Sequence, residues 1–495
     1  VGRDEWALII AWSASEPERV GEVALLPENR ERFVLGRAPE CLEAPLLKES
    51  LDSGRSQAGA LWSLRFHRQR PGASFSHPPA GGSTILLKGD HISRRQLELT
   101  QSGGMLSVKN VGRCPLSVNG QHVGAAELQE GDTLHLHDQL LLLCIRRPRE
   151  LPALRFYPTA RLGNFGQPDQ DGILGESPAI WKLRDRIAAY AQTMHHILII
   201  GESGTGKELA AQALHRLSER GSRRLIADNA AALPPSLAAA LLFGNRRNFP
   251  NPGMEERIGL VGSAHGSTLF LDEIGDMPKE VQPMFLRVAE RGEYTRLGDE
   301  GRVQHADFRL LGATNRPEYL RYELKRRFAR EVRVPGLEQR KEDIPLLVRH
   351  ILLQLAAEQD IEATSYVRNG NVMVSPLLIE KLLHHPYQTH VSELKRLLGM
   401  AMAESDGVCL RPFGSTAVGA SWADPVRGSR TVPDARPSAM PLPLPAVAQE
   451  CLDSCQGNIR RAAVQLGISR HQLNRMIQRE GLKVSRPEPA TNNRT

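Results

Sequence analysis

At 495 residues, with 41% hydrophobic and 24% charged residues, the chain is too long for one hydrophobic core and has the composition of several globular domains. No apolar run approaches the roughly 18 residues that a helical membrane span needs. The formal charge of +7 is modest, and the six cysteines (Cys41, Cys114, Cys144, Cys409, Cys451 and Cys455) contain no C-x-x-C pair, which argues against a disulfide framework or a zinc site. No basic-then-apolar leader pattern opens the sequence, so the expectation is a cytoplasmic protein without a membrane partner.

Residues 1–150 consist of short alternating runs (Leu61–Phe66, Thr84–Lys88, Gln96–Thr100, Met105–Lys109) separated by Gly, Pro and Asn turns, which predicts a β-rich, all-β domain. A connector with Pro, Gly and Gln covers 151–172. Residues 173–405 alternate apolar strands with longer helical patterns, the mark of an α/β layer fold. The stretch 406–445 is rich in Pro, Gly, Ser and Ala, cannot bury a core, and is expected to be a disordered linker. A compact helical segment at 446–487 and a polar tail at 488–495 complete the multidomain chain.

The most informative segment is Gly201, Glu202, Ser203, Gly204, Thr205, Gly206, Lys207 and Glu208. It follows the strand-like run Ile197–Ile200 and precedes Leu209–Leu217, which has helical spacing. Strand, Gly-rich turn and helix make a phosphate-binding loop: turn amides and the helix N-terminus face an anion, and Lys207 adds a point charge. Glu208 stands where a Ser or Thr usually holds Mg²⁺. A second apolar strand, Ser267–Glu273, ends in adjacent acids. There Asp272 can hold Mg²⁺ and Glu273 can polarise an attacking water.

Together with Asn229-Ala-Ala-Ala-Leu, Leu242-Phe-Gly, GSTLFLDEIGDMP (266–278), FRLLGATNR (308–316) and RKEDIPLL (340–347), these motifs resemble, in order, the AAA+ domain of bacterial enhancer-binding proteins, the ATPases that activate sigma-54 RNA polymerase. In that family Glu follows the loop Lys, so Glu208 agrees with membership. The resemblance implies an α/β P-loop domain with a helical lid, ATP and Mg²⁺ as cofactors, and a homo-oligomer, from dimer to hexameric ring, with nucleotide between subunits. It implies that Asn229 switches Glu273 and that Thr314 and Asn315 form a nucleotide sensor. Arg309, with Arg302 as second candidate, is implied as the arginine that acts across the subunit interface. Two departures stand out. The family's GAFTGA loop, which contacts sigma-54, is replaced by Asn245-Arg-Arg-Asn-Phe-Pro-Asn-Pro-Gly253, where prolines fix φ. In the lid, YQTHVSEL (387–394) places Ser392 at the position of an Arg that contacts phosphate, and a Ser cannot make a charge-assisted contact there.

Residues 457–482 give two helical patterns around Leu466-Gly467-Ile468-Ser469, with Ser469 placed as the N-cap of the second. This is helix-turn-helix spacing, and the segment resembles the Fis-type DNA-binding domain. Arg470, His471, Gln472, Asn474 and Arg475 open the expected recognition helix. Arg460, Arg461 and Arg479 are expected on phosphates of double-stranded DNA.

At the amino end, Phe33-Val-Leu-Gly-Arg37, His91-Ile-Ser-Arg-Arg-Gln96, Val108-Lys-Asn-Val-Gly112 and Val118-Asn-Gly120 resemble a forkhead-associated (FHA) domain, a β-sandwich that binds phosphothreonine peptides. The resemblance implies that Arg37, Ser93 and Arg94 meet the phosphate. Gln96 stands for the family's structural His, and Arg113-Cys-Pro-Leu116 lacks the family's Asn. The expected function is that of an ATP- and DNA-binding transcription regulator of the sigma-54 activator type with ATPase chemistry and an FHA input. The alternative is a non-activating member that uses ATP only for assembly, as a repressor or partner subunit, since the GAFTGA loop and lid Arg are absent.

Overall fold

The computed structural model describes residues 4–37, 61–72, 87–249, 251–299, 301–358, 364–368, 370–405, 409–412 and 449. The chain divides into two units, Val1–Val432 and Pro433–Thr495. The expected linker beyond 412 and the expected helix-turn-helix lie outside the described residues.

Two sheets form the amino-terminal sandwich. The first runs β2 (Val23–Leu26), β1 (Asp4–Ser13), β11 (Leu140–Pro148), β10 (Thr133–Leu136), β7 (Leu116–Val118), β8 (Gln121–His122). The second runs β4 (Leu61–Ser63), β3 (Arg32–Leu35), β5 (Leu97–Ser102), β6 (Met105–Asn110), β9 (Ala125–Leu128). Of the run 84–88 only Leu87 and Lys88 are described, and they form no strand. Asn119 (φ 49°) and Gly120 (φ 76°) make the two-residue turn between β7 and β8, where positive φ at both positions matches the twist of a hairpin.

Strand side chains alternate in direction, and β1 uses both faces. Trp6, Leu8 and Ile10 enter the sandwich core with Phe33, Leu97, Leu99, Leu140 and Leu142. Ala7, Ile9 and Ala11 point the other way, together with Val23, Leu25, Leu141, Leu143 and Ile145, into a second core.

That second core belongs to the helical lid. It is completed by Leu347 and Ile351 of α7 (Ile344–Ala357), Leu378, Ile379 and Leu382 of α8 (Pro376–His384), and Leu394, Leu397 and Leu398 of α9 (His390–Glu404). The sandwich and lid therefore share one apolar interior. Polar ties close its rim: the Thr133 hydroxyl donates to Glu380 (2.6 Å), Trp12 Nε1 to the Val374 carbonyl (2.7 Å), and His384 Nε2 lies 3.2 Å from Asn119 Oδ1. Arg147, 1% exposed, joins the Glu342 carboxylate and the Gln69 side chain and donates to the Glu176 carbonyl at 2.8 Å. Desolvation pushes the Glu342 carboxyl up to about 7, against the pull of Arg147.

The α/β layer is a parallel sheet ordered β13 (Ile226–Asn229), β14 (Thr268–Asp272), β17 (Arg309–Thr314), β12 (Ile197–Ile200), β18 (Arg330–Arg333). Ile197, Leu198 and Ile199 are buried, as strands covered on both faces require. Helices α1 (Pro178–Ala191) and α2 (Lys207–Arg216) pack beside β12. The 151–172 connector is anchored to this layer: buried Asp171 pairs with Arg161 (2.7 Å) and Arg216 (2.9 Å), and Asp169 with Arg184 (2.8 Å).

Candidate functional site

The carboxyl edge of the parallel sheet collects the residues expected at a nucleotide site. After β12 the chain turns through Gly201–Gly206 and enters α2 at Lys207, which is buried. Gly204 (φ 76°) is required twice over: its conformation favours glycine, and a Cβ there would lie 2.2 Å from the Thr389 carbonyl oxygen. Lys207 Nζ lies 3.3 Å from Glu273 Oε1 and donates to the Glu202 carbonyl at 3.4 Å. Thr205 Oγ1 also donates to that carbonyl (2.8 Å), holding the turn closed. The Glu208 carboxylate accepts from Gln212 Nε2 at 3.2 Å on the outer side of α2, and Glu208 and Ser203 both line the cavity.

Asp272 ends β14 and accepts from the Glu273 amide (2.9 Å). Glu273 has φ 46° and ψ 45°, a left-handed conformation that costs free energy in a non-glycine residue and recurs at functional positions. It turns the carboxylate back toward Lys207, while Glu273 Oε2 accepts from the Asn315 amide (3.4 Å). Thr314, 1% exposed, accepts from the Arg316 amide through Oγ1 (2.9 Å), and Asn315 Oδ1 is buried without a hydrogen-bond partner. Asn229 stands opposite Asp272 in register, but its side chain accepts from the Ala231 amide (2.9 Å) and does not engage Glu273. The loop from Ser203, Lys207, Asp272 and Glu273 border a cavity of about 770 Å³ that is also lined by Arg340, Ser392 and Lys395, whereas Asn229, Thr314 and Asn315 are not among its lining residues. The glycine cradle, Lys207 and the terminal carboxylates fit a nucleoside triphosphate with Mg²⁺, an ion that needs only one or two protein carboxylates beside phosphate oxygens.

A second cavity, of about 820 Å³, opens at one end of the sandwich and is lined by Arg37, Ser93, Arg94, Arg113, His137 and Asp138 among others. Gly36 permits the close crossing that forms it, since a Cβ there would lie 1.9 Å from the Arg94 carbonyl oxygen. The Arg37 amide donates to the Ser93 carbonyl (3.1 Å), and its guanidinium pairs with exposed Asp90 (3.0 Å). Ser93 Oγ accepts from the Arg113 amide (2.9 Å). Gln96 is wholly buried and fastens these loops: Oε1 accepts from the Ser93 amide (3.0 Å), and Nε2 donates to Asn110 Oδ1 (2.7 Å) and the Cys114 carbonyl (2.8 Å). Arg113 is a lining cation that its sequence position, in a loop notable only for a missing Asn, did not announce.

Comparison with known proteins assigns the layers. The Sigma-54 interaction domain family matches residues 173–332, the FHA domain family 78–137, and the family of bacterial regulatory proteins of the Fis type 448–479. Transcriptional regulatory protein ZraR of Escherichia coli K12 is 34% identical over 318 residues, covering 61% of this chain and 68% of ZraR. The chain belongs to the bacterial enhancer-binding proteins. Another member, the formate hydrogenlyase transcriptional activator of Salmonella typhimurium LT2, is 40% identical over 193 residues, 37% of this chain and 28% of that activator. The chain thus spans under a third of that relative's length. A crystal structure of NtrX from Brucella abortus in complex with ATP is 28% identical, covers 65% of this chain and 70% of its own, and superposes with a TM-score of 0.43.

Against the enhancer-binding protein pattern, the structure corrects one assignment. Arg309 cannot act across a subunit interface, because it is 0% exposed. Its guanidinium donates to the carbonyls of Tyr190 (2.7 Å), His195 (3.1 Å) and Ala191 (3.4 Å), capping the end of α1. Burial lowers its pKa from 12.5 to about 10. Arg302 is exposed, as are Arg321, Arg326 and Arg327 around the short helix α6 (Tyr322–Lys325).

In the segment that replaces GAFTGA, Asn245 is buried while Arg246 and Phe249 are exposed. Buried Asn245 bridges to both Arg257 and Leu297, Arg246 pairs with Asp299 (3.5 Å), and Phe249 packs against Gly298. No helix among the described residues is long and apolar enough to cross a membrane.

Proposed function

We propose that this enhancer-binding protein is an ATP- and DNA-binding transcription regulator whose sandwich reads a phosphothreonine segment and whose AAA+ layer hydrolyses ATP in a homo-oligomer. The observation that carries the nucleotide reading is the contact between Lys207 and Glu273 at 3.3 Å, set by a left-handed Glu273 at the sheet's carboxyl edge. Amides of 201–206 and Lys207 bind the phosphates, and Asp272 holds Mg²⁺, which supplies charge neutralisation at the transferring phosphoryl group. Glu273, freed from Lys207 when phosphate takes that cation, orients the attacking water. Asn315, whose amide already touches Glu273, positions that carboxylate. A neighbouring subunit supplies an arginine from the exposed set Arg302, Arg321, Arg326 and Arg327. Arg37, Arg94 and Arg113 offer charge-assisted hydrogen bonds to a phosphate. Arg470, His471, Gln472, Asn474 and Arg475 read DNA bases beside Ser469, with Arg460, Arg461 and Arg479 on the backbone.

Transcription from a sigma-54 promoter template with purified protein, holoenzyme and ATP tests this reading. ATP-dependent open complexes are expected. Intact DNA binding without them sinks the activator role and leaves the second reading, a non-activating member that uses ATP for assembly. That alternative is favoured by the composition of 245–253, where prolines and the Arg246-Arg247 pair stand in place of the GAFTGA loop.

A further inference from the structure

Three cations line the nucleotide cavity, and two are engaged. Lys207 meets Glu273, and buried Arg340 donates through Nη2 to the Thr205 carbonyl at 3.3 Å. The third, Lys395, has no hydrogen-bond or ion-pair partner among the described residues. A cation facing a cavity that already holds a phosphate cradle, and without an ion-pair partner among the described residues, is available to an anionic ligand.

Its position follows from how α9 docks. The Val391 amide donates to the Gly204 carbonyl (3.1 Å), so the first turn of the helix rests on the phosphate loop. Ser392 lies over the same glycine, since a Cβ built on Gly204 would come 2.9 Å from Ser392 Oγ. Lys395 is three residues further on, the neighbouring place on one helix face, and lines the same cavity as the loop. Arg396 turns elsewhere, toward Glu393 (3.6 Å) and the Met400 sulfur (3.4 Å).

We infer that Lys395 is the lid's phosphate-contacting residue, replacing from one turn later the cation that Ser392 cannot supply. This rests on the nucleotide reading above. As a point charge, Lys395 requires its charge but no forked geometry, so Arg can stand in for it.

The test is equilibrium titration of the full chain with a fluorescent ATP analogue in Mg²⁺, with unlabelled ATP and adenosine as competitors. Lys395→Ala is expected to weaken ATP about 10- to 100-fold, the worth of one charge-assisted contact. Adenosine, which has no phosphate, should compete as in wild type. Arg396→Ala should change ATP affinity by less than about twofold, as an outward surface substitution does. Lys395→Arg should retain binding, and Ser392→Arg added to Lys395→Ala should regain it. Wild-type affinity in Lys395→Ala overturns the inference, as does a parallel loss of adenosine or failure of both rescues. If wild-type protein does not bind the analogue, the nucleotide reading itself falls, and this inference with it.

Discussion

Replacing Arg309 by Met separates a structural cap from an intersubunit arginine. Methionine keeps most of the stem but removes the donors to the Tyr190, His195 and Ala191 carbonyls at 2.7, 3.1 and 3.4 Å. Leaving the His195 carbonyl unpaired costs about 1–3 kcal/mol, whereas the Tyr190 carbonyl still accepts from the Thr193 amide and hydroxyl, so its lost bond costs about 0.5–1.5 kcal/mol; together they amount to roughly 1.5–4.5 kcal/mol. Part of that returns, because the guanidinium is disfavoured by burial. The fall of its pKa from 12.5 to about 10 corresponds to roughly 3 kcal/mol at most. With part of the loss returned in this way, the net is on the order of 1–2 kcal/mol, which for a domain of about 150–250 residues lowers Tm by roughly 2–8 °C. Calorimetric unfolding measures the drop, and ATPase assays on mixtures of variant and wild-type subunits measure any effect across an interface. We expect Arg309→Met to lower Tm and to reduce turnover only in proportion to the variant subunits present, whereas Arg302→Ala leaves Tm unchanged. An unaltered Tm with disproportionate loss of turnover on mixing would refute the assignment of Arg309 as a helix cap.

Glu273→Gln should abolish turnover while ATP remains bound, because the amide keeps the shape but cannot polarise water; unchanged turnover in a coupled ATPase assay would remove Glu273 from the chemistry. Arg37→Ala should weaken a phosphothreonine peptide about tenfold or more by fluorescence anisotropy, the loss of one charge-assisted contact, with equal affinity for phosphorylated and plain peptide as the contrary result. Burial holds His67 neutral by lowering its pKa from 6.5 to about 4, so between these values the unfolded chain binds the extra proton and stability falls as the pH drops. Urea unfolding across that window should show this slope, and His67→Gln should flatten it; an identical slope in the variant would contradict the burial argument.

The backbone of the candidate nucleotide site is legible in the sequence because Gly201–Glu208 and Ser267–Glu273 dictate geometry locally: turn, helix start and strand end follow from residue type. Arg309 was misread for the complementary reason. A cation before an apolar strand looks exposed in one dimension, and only the return of α1 beside β17 supplies the carbonyls that bury it. Gln96 shows a middle case. Its place in the FHA-like pattern was visible, but its two-ended amide, accepting on one side and donating on the other, does its work only once loops from 93, 110 and 114 meet. Asn229 belongs there too: the family resemblance implies a switching role toward Glu273, while its register opposite Asp272 and its bond to the Ala231 amide emerge only in the fold.

The shared core has its own signal in the sequence. A sandwich strand with one wet face alternates polar and apolar residues, yet Trp6–Trp12 is apolar throughout, as is Leu140–Ile145. Such runs need cover on both faces, and here the second cover is the lid. Pulling the sandwich away would expose Ile9, Leu25, Leu141, Leu143 and Ile145, at about 1.5–3 kcal/mol each, or roughly 8–15 kcal/mol together. That equals the whole stability of an ordinary domain. The sandwich is therefore carried as part of the lid. A lid movement about the nucleotide cavity takes the Arg37 cavity with it, through β10, whose first residue, Thr133, bonds Glu380 of the lid and whose last is followed by His137 at the cavity wall.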